Sequence, residues 1–527
     1  MAFGATWTAE WAFTVALGVV AFRDGGATAV GVVAFVRMAP AALLAPFGTA
    51  LADRFRRDRV LMWSCFIRAA AVAAAAALLA GGSTVPVYAL AVVATAAFTV
   101  FRPGHSALLP ALCNTPLELT SANVVRGLLD SLSTLLGPLL AALLLDVGSA
   151  EAVFALAAAL SFGSGLLLLG LSYEAPPRSP SHPLWRIPHE TVEGFRALVR
   201  YRDAGLLIGL ALAASLTRGF LNVFVVVIAL ELLGMGAPGV GVLTAAVGAG
   251  AVAGSLGASA LVSGRRLAAL EGVGVALWGL PLALSGALPH EPVVLVLMGV
   301  IGVGNALADI GLHTLPSRLV PEALVARVFG AKESLTAMSV ALGSLISPPV
   351  IDLLGVRGAL AALGLVAPAL AALAWRRLRA IDSSIAHRDA EIAVLQRVGM
   401  LRPLPMPAIE NLAVHVGHAR FATGQAVFHQ GDHGDRFYLI EDGEADVIGD
   451  GRLIRTMGAG DGFGEIALLR DTVRTTTVRA RTPLLLCTLD RHHFVAAVTD
   501  YSSSANEAEA LMLGRLGTFE PRGGQGA

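Results

Sequence analysis

The sequence predicts an all-α polytopic membrane domain of about twelve spans, followed by a small C-terminal domain of short strands and flanking helices. Three observations predict it. Up to Trp375 the chain is long runs of Ala, Leu, Val and Gly, interrupted at the intervals expected when a crossing takes roughly 20 apolar residues. Beyond Arg376 it becomes charged, alternating and rich in turn residues. Arginines collect in every second loop of the apolar part. The totals (55% hydrophobic, 14% charged, mean hydropathy +0.71) average two unlike regions and exclude an ordinary soluble globular chain. Zero formal net charge decides little, because the charges are segregated along the chain.

Taken in order, the expected spans are 3–22, 27–50, 60–80, 86–109, 119–145, 151–172, 203–232, 238–263, 268–288, 292–315, 325–351 and 357–375. The first lacks a basic leader and continues at transmembrane length, so it reads as a span and not as a cleavable signal peptide. Loops after even-numbered spans carry Arg54, Arg56, Arg57 and Arg59, then Arg178, Arg186, Arg196, Arg200 and Arg202, then Arg265 and Arg266; Arg376, Arg377 and Arg379 follow the last span. The opposite loops offer little beyond Arg23 and Arg357. Cytoplasmic loops hold the excess of Arg and Lys, so both termini are expected in the cytoplasm. Lys332 is the sole lysine, a compositional bias with no functional reading. Cys65, Cys113 and Cys487 are too few and too dispersed to predict a disulfide framework or a metal site.

The longest connection, Ser172 to Tyr201, divides the spans six and six. Its first half is Pro-rich, and Glu190 to Arg202 has the pattern of a short amphipathic surface helix. Pro110 and Pro138 recur at the same separation as Pro321 and Pro349, which points to two duplicated halves with a substrate site between them near the midplane.

Ionisable side chains at membrane depth are costly and mark substrate or ion paths. Glu10, Arg37, Asp130 and Arg218 fall near the middle of spans 1, 2, 5 and 7. Arg126 and Asp130 share a helix face, as do Asn305, Asp309 and His313 on span 10. A pair such as Arg126–Asp130 serves equally well as a lock between helices, and Asp309 and His313 equally well as gate residues.

The loop after span 2, Thr49-Ala-Leu-Ala-Asp53-Arg54-Phe-Arg56-Arg57-Asp-Arg59, resembles the signature loop of the major facilitator superfamily, with Thr49 and Arg56 where that family has glycines. Phe101-Arg102-Pro103, Leu109-Pro110, Ser121-Ala-Asn123 and the antiporter-like Ser133 to Ala142 resemble its bacterial exporters. The resemblance implies gating by Asp53, Arg54 and Arg57. It also implies a cavity lined by spans 1 and 7, with Glu10 and Arg218 as leading transport candidates and Arg37, Asp130 and Asp309 beside them.

From Phe421 onward, turns at Gly424, Gly431-Asp432, Gly434-Asp435, Asp442-Gly443 and Asp450-Gly451 separate short apolar strands, the pattern of a jelly-roll barrel. Helices are expected at 381–398, 407–415, 491–498 and 506–513. Within this part stands Gly462-Phe-Gly-Glu-Ile-Ala-Leu-Leu-Arg-Asp-Thr-Val-Arg-Thr-Thr-Thr-Val478. A phosphate needs close backbone approach, which Gly464 allows, N–H groups from a short helix starting near Glu465, and the planar guanidinium of Arg474.

The stretch resembles the phosphate-binding cassette of cyclic-nucleotide-binding domains. That resemblance assigns the ligand contacts to Phe463, Gly464, Glu465, Ile466, Ala467, Arg474 and Thr475, with Glu465 on the ribose 2′-hydroxyl. The ligand reads as cAMP, the commoner bacterial messenger, with cGMP open because a Thr after the Arg occurs with either base. Leu511 and Met512 are the candidate lid residues. A domain that keeps the fold without the ligand is the competing structural reading.

No P-loop and no helix-turn-helix accompany these motifs, so ATP-driven pumping, enzymatic catalysis and nucleic-acid partners are not expected, nor is a cofactor or metal. The expected divisions are two six-helix halves (1–172 and 203–376) around a central loop (173–202), a connecting helix (377–402), the sensor (403–515) and a tail (516–527). Together they predict a multi-pass protein of a bacterial inner or plasma membrane. It would export a small organic solute in exchange for protons under control of cytoplasmic cyclic nucleotide. A membrane-anchored cAMP receptor without transport, and a lipid flippase, are the alternatives.

Overall fold

The computed structural model describes residues 1–108, 116–170, 187–261, 266–404, 406–499 and 508–510. The chain divides into two compact units, Met1–Asp382 and Ser383–Ala527.

The first unit is helical: α1 (Ala2–Arg54), α2 (Arg57–Ala80), α3 (Val85–Leu108), α4 (Pro116–Val147), α5 (Ala150–Leu169), α6 (Ile187–Arg200), α7 (Arg202–Val227), α8 (Gly236–Leu261), α9 (Leu267–Ala287), α10 (Glu291–Leu319), α11 (Glu322–Gly364) and α12 (Val366–Leu395), the last running on past the division. Nine runs among the described residues are long and apolar enough to cross a membrane, and Val85–Phe101 is a shorter apolar helix. Two of the runs are broken. Gly26 has φ +62°, a left-handed conformation that glycine adopts without steric cost, and it splits α1 into limbs 2–24 and 27–54 that lie over the first two expected spans. Gly355, at φ +70°, breaks α11 in the same way.

The packing repeats. The second limb of α1 lies so close to α11 that a Cβ on Gly31 would sit 2.5 Å from the main-chain oxygen of Ser344. On α8, a Cβ on Gly248 would sit 2.5 Å from the main-chain oxygen of Thr134 on α4. The expected six-plus-six duplication would turn span 2 into span 8 and span 11 into span 5, and the two contacts have the form it calls for. Pro138 and Pro349 lie within α4 and α11, while Pro110 falls outside the described residues. The expected surface helix is α6; it starts earlier than the 190–202 reading and stops at Arg200, because Arg202 already opens α7.

The second unit has two antiparallel four-stranded sheets. Strands β1 (Gly417–Phe421), β2 (Ala426–Phe428), β3 (Arg436–Asp442), β4 (Ala445–Gly449), β5 (Arg452–Met457), β6 (Gly462–Phe463), β7 (Thr477–Ala480) and β8 (Leu484–Asp490) order as β1-β8-β3-β6 and β2-β7-β4-β5. Alternation along β3 explains its burial on both faces. Tyr438 and Ile440 face the barrel interior with Val447, Phe463 and Val478, while Phe437 and Leu439 face a helical layer. That layer is the end of α12, α13 (Met406–Val414) and α15 (Arg491–Thr499), with Phe494 stacked on Phe437 at 4.3 Å between centroids. The expected helix at 381–398 is therefore no separate element but the continuation of α12, ending at Leu395. Of the expected helix at 506–513 only 508–510 are described, and Leu511, Met512 and the tail lie outside.

Candidate nucleotide site and membrane-buried charges

Between β6 and β7 the chain makes a single short helix, α14 (Glu465–Leu469). Gly464 precedes it at φ +91°, and a Cβ there would lie 2.6 Å from Nη1 of Arg474, so this position requires glycine for two reasons. Strand pairing of Tyr438 with Phe463 fixes the entry to the turn, and the two rings stack at 5.3 Å. The exit is fixed by the Gly431-Asp432 turn. Gly431 N–H donates to the Arg474 carbonyl (2.9 Å), Arg474 N–H donates to the Asp432 carbonyl (2.8 Å), and the Asp432 carboxylate accepts from His429 N–H.

These constraints bring Phe463, Gly464, Glu465, Ile466, Ala467, Arg474 and Thr475 to one cavity, open to solvent at its mouth. The guanidinium of Arg474 is 2% exposed. Nη1 donates to the Gly464 carbonyl (2.9 Å), Nη2 to the Arg436 carbonyl (2.7 Å), and the group lies 4.3 Å from the Phe428 ring centroid. Its Nε is buried with no hydrogen-bond partner. Burial holds the Arg474 pKa below the usual arginine range, against the opposing pull of Tyr438 and Asp435. Glu465 is buried at 1% exposure and Thr475 stands exposed at the rim. An orphaned guanidinium donor next to a buried carboxylate suits a ligand carrying both an anion and a hydroxyl.

Sequence reasoning missed the apolar wall: Phe428, Val447, Ile454, Met457 and Val478, with Arg455 beside them. They come from four separate strands, Phe428 from β2, Val447 from β4, Ile454 and Met457 from β5 and Val478 from β7, so no local spacing in the sequence links them.

In the first unit, Glu10 pairs with Arg68 and lies 3.8 Å from Arg37, whose Nη1 donates to Thr14. Arg68 is 1% exposed, donates from Nε to Ser161 (3.2 Å) and lies over Phe98. Arg68 was not singled out, although it falls near the middle of the expected span 60–80 and the membrane-depth criterion was the signal that could have found it. Arg218 forms a second group: its Nη2 donates to Asn305 Oδ1 (2.9 Å), Asn305 donates to Asp309 (3.4 Å), and Trp278 lies under the guanidinium. Asp130 is half-buried on α4, where its main-chain oxygen accepts from Thr134. The structure adds Glu271 on α9, fully buried with neither carboxylate oxygen hydrogen-bonded and with Asp309 and Lys332 as charged neighbours. Arg57 opens α2 half-buried, while the side chains of Asp53, Arg54 and His313 lie outside the described residues.

The fold and cavity define a multi-pass membrane protein joined to a cyclic-nucleotide-binding barrel. Comparison with known families agrees: residues 1–332 match the Major Facilitator Superfamily and residues 418–501 the cyclic nucleotide-binding domain. The chain belongs to the major facilitator superfamily.

Among curated proteins, it is 37% identical over 127 residues to the cAMP-dependent protein kinase regulatory subunit of Schizosaccharomyces pombe, covering 24% of this chain and 31% of that one. It is 32% identical over 151 residues to the regulatory subunit of Emericella nidulans, covering 27% and 36%. The chain thus spans about a third of the length of these relatives. Among solved structures, the regulatory domain of Toxoplasma gondii PKA with cAMP is 23% identical with a TM-score of 0.23, over 26% of this chain and 52% of that one.

Proposed function

We propose that this protein is a secondary active transporter, exchanging a small organic solute for protons, whose activity is set by cyclic nucleotide, cAMP in preference to cGMP. The observation that carries the regulatory half is that Arg474, whose buried Nε has no partner, and Glu465 line the same cavity. A cyclic phosphate would take that donor in a charge-assisted hydrogen bond, and Glu465 would accept from the ribose 2′-hydroxyl. Ala467 and Ile466 leave room for the phosphate, and Phe428 with the apolar wall would cover the ribose and base.

For the transport half, Arg218, Asn305 and Asp309 form a polar chain in the helical unit, and Glu271 is a buried carboxylate without hydrogen bonds. We assign the solute path to the Arg218 group, with Asp130 and Arg37 as further candidates, and proton carriage to Glu271. Glu10 is tied to two arginines and serves chiefly to hold α1 and α2 together. Asp53, Arg54 and Arg57 remain the proposed gate. The protein sits in a bacterial inner or plasma membrane with both termini and the sensor in the cytoplasm, where the nucleotide is made. Nucleotide binding then acts by preferring one transporter state over the other, with a coupling of about 1–3 kcal/mol.

Calorimetric titration of the full-length protein with cAMP and cGMP tests the sensor first. Micromolar or tighter binding, about 8 kcal/mol, that disappears in Arg474→Ala supports the reading and names the base. Solute flux in proteoliposomes then tests coupling. Flux unaltered by nucleotide would refute the regulatory half alone, whereas nucleotide binding with no flux across a broad solute panel would favour a membrane-anchored receptor; movement of fluorescent lipid alone would point to a flippase.

A further inference from the structure

Where the β1-β8-β3-β6 sheet meets the helical layer, four side chains distant in sequence come together. Cross-strand pairing sets His418 on β1 directly opposite Cys487 on β8, and β3 brings Glu441 alongside. The last turns of α12 add Glu391. His418 Nε2 lies 3.4 Å from Glu391 Oε1, 3.6 Å from Glu441 Oε2 and 3.8 Å from Cys487 Sγ, and Cys487 Sγ lies 3.7 Å from Glu441 Oε2.

Those separations match the edges of a metal site. Nitrogen, oxygen and thiolate donors bind Zn²⁺ at about 2.0–2.3 Å, so the edges of a tetrahedron of such donors measure about 3.3–3.8 Å. These four of the six edges fall in that range, and the donor atoms of Glu391, His418 and Cys487 all lie within 4.8 Å of one another, with Glu441 completing the set from the side of His418 and Cys487. A second observation is independent of them: Glu391 is 8% exposed, and its Oε2 is buried without a hydrogen-bond partner. Burying an unsatisfied carboxylate oxygen is costly unless something positive takes it up. The donor set of one thiolate, one imidazole and two carboxylates suits a borderline-soft dication.

We propose that Glu391, His418, Glu441 and Cys487 bind a transition-metal dication of the Zn²⁺ class. Burial, reinforced by the Glu441 and Glu391 carboxylates, pushes the Cys487 thiol up to about 12, which a dication at the same point reverses by displacing the proton. His387, 3.7 Å from Glu391 Oε1 and exposed, orients that carboxylate from outside. The ion ties the end of α12 to β1, β3 and β8, and so stiffens the segment that leads from the last transmembrane helix into the sensor.

The test uses the full-length protein in detergent, stripped with a chelator and titrated with Co²⁺, then Zn²⁺. One equivalent of Co²⁺ with a thiolate-to-metal charge-transfer band, displaced by Zn²⁺, is expected. Cys487→Ser should abolish the band. Because Cys487 is buried, His418→Ala at the exposed rim is the companion variant. It should weaken Zn²⁺ binding by more than the 10–100-fold, in order of magnitude, that loss of an outer-shell partner costs, while cyclic-nucleotide binding is kept. A protonated His418 clasped between the two carboxylates explains the same contacts without an ion. In that case no charge-transfer band forms, or both variants bind Zn²⁺ as tightly as the unaltered protein, and the proposal is overturned.

Discussion

Arg474 Nη1 donates to the carbonyl oxygen of Gly464 at 2.9 Å, while the α-carbon of that glycine is bare because any Cβ would lie 2.6 Å from the same nitrogen. The two residues specify each other: the glycine makes the space and the arginine fills it, with Nε left without a partner.

Arg474→Lys and Arg474→Ala should therefore behave alike toward nucleotide despite the charge kept by lysine, because a point ammonium cannot reproduce the fork that holds the Gly464 and Arg436 carbonyls. Each should weaken cAMP binding by about 100-fold or more and lower barrel stability by about 1.5–3 kcal/mol, the scale of hydrogen bonds to charged groups. Calorimetry and denaturant melts of the same samples check both; a lysine variant that binds as tightly as wild type would contradict this account.

Gly464→Ala combines a strained backbone with a collision. At φ +91° an alanine costs on the order of 1–3 kcal/mol, and Arg474 must shift to admit the methyl group. Nucleotide affinity should fall alongside the melting temperature. Gly451→Ala, at φ +77° but with open space around it, should cost stability alone.

Glu10→Ala leaves Arg68 buried with its strongest partner removed, a change of about 3–5 kcal/mol. Removal of both, in Glu10→Ala/Arg68→Ala, should be less damaging than the sum of the single changes. Thermal melts in detergent measure the cycle, and strict additivity would show that the pair does not couple.

Glu271→Gln keeps the shape of a side chain that makes no hydrogen bonds. The variant should fold at least as stably as wild type. If Glu271 carries the proton, it should lose uphill transport driven by a pH gradient yet retain exchange of the solute down its own gradient. Uphill transport at the wild-type rate would remove Glu271 from the proton path.

The imidazoles of His415 on the loop after α13 and His493 on α15 stack at 3.8 Å. Burial and the neighbouring His415 and His492 hold the His493 pKa below the ordinary 6.5. The folded state thus takes up its proton at lower pH than the unfolded chain, so this contribution to stability is present above 6.5 and is lost as pH falls below it. His493→Gln should flatten the acid side of the barrel's melting-temperature profile between about pH 5 and 7; an unchanged slope would assign it to other groups.

By itself the sequence determined the division into apolar and turn-rich regions, because hydropathy over a membrane-length window and period-two alternation are local properties of the chain. It also picked out the residues from Phe463 to Thr475 that line one cavity, because they sit within one short stretch of chain. Only the tertiary structure decided the rest. The partner of Glu10 is Arg68, on a different helix, and no spacing in the text connects them. Glu271 stood out only once α9 and α10 had closed around it, with a Cβ on Gly311 reaching 2.8 Å from its Oε2. Cys487 read as a dispersed, structurally inert thiol until β-sheet register placed His418 across from it and α12 laid Glu391 over both. Packing partners far apart in sequence are set by how elements cross, and that is fixed by the fit of whole surfaces rather than by any local pattern.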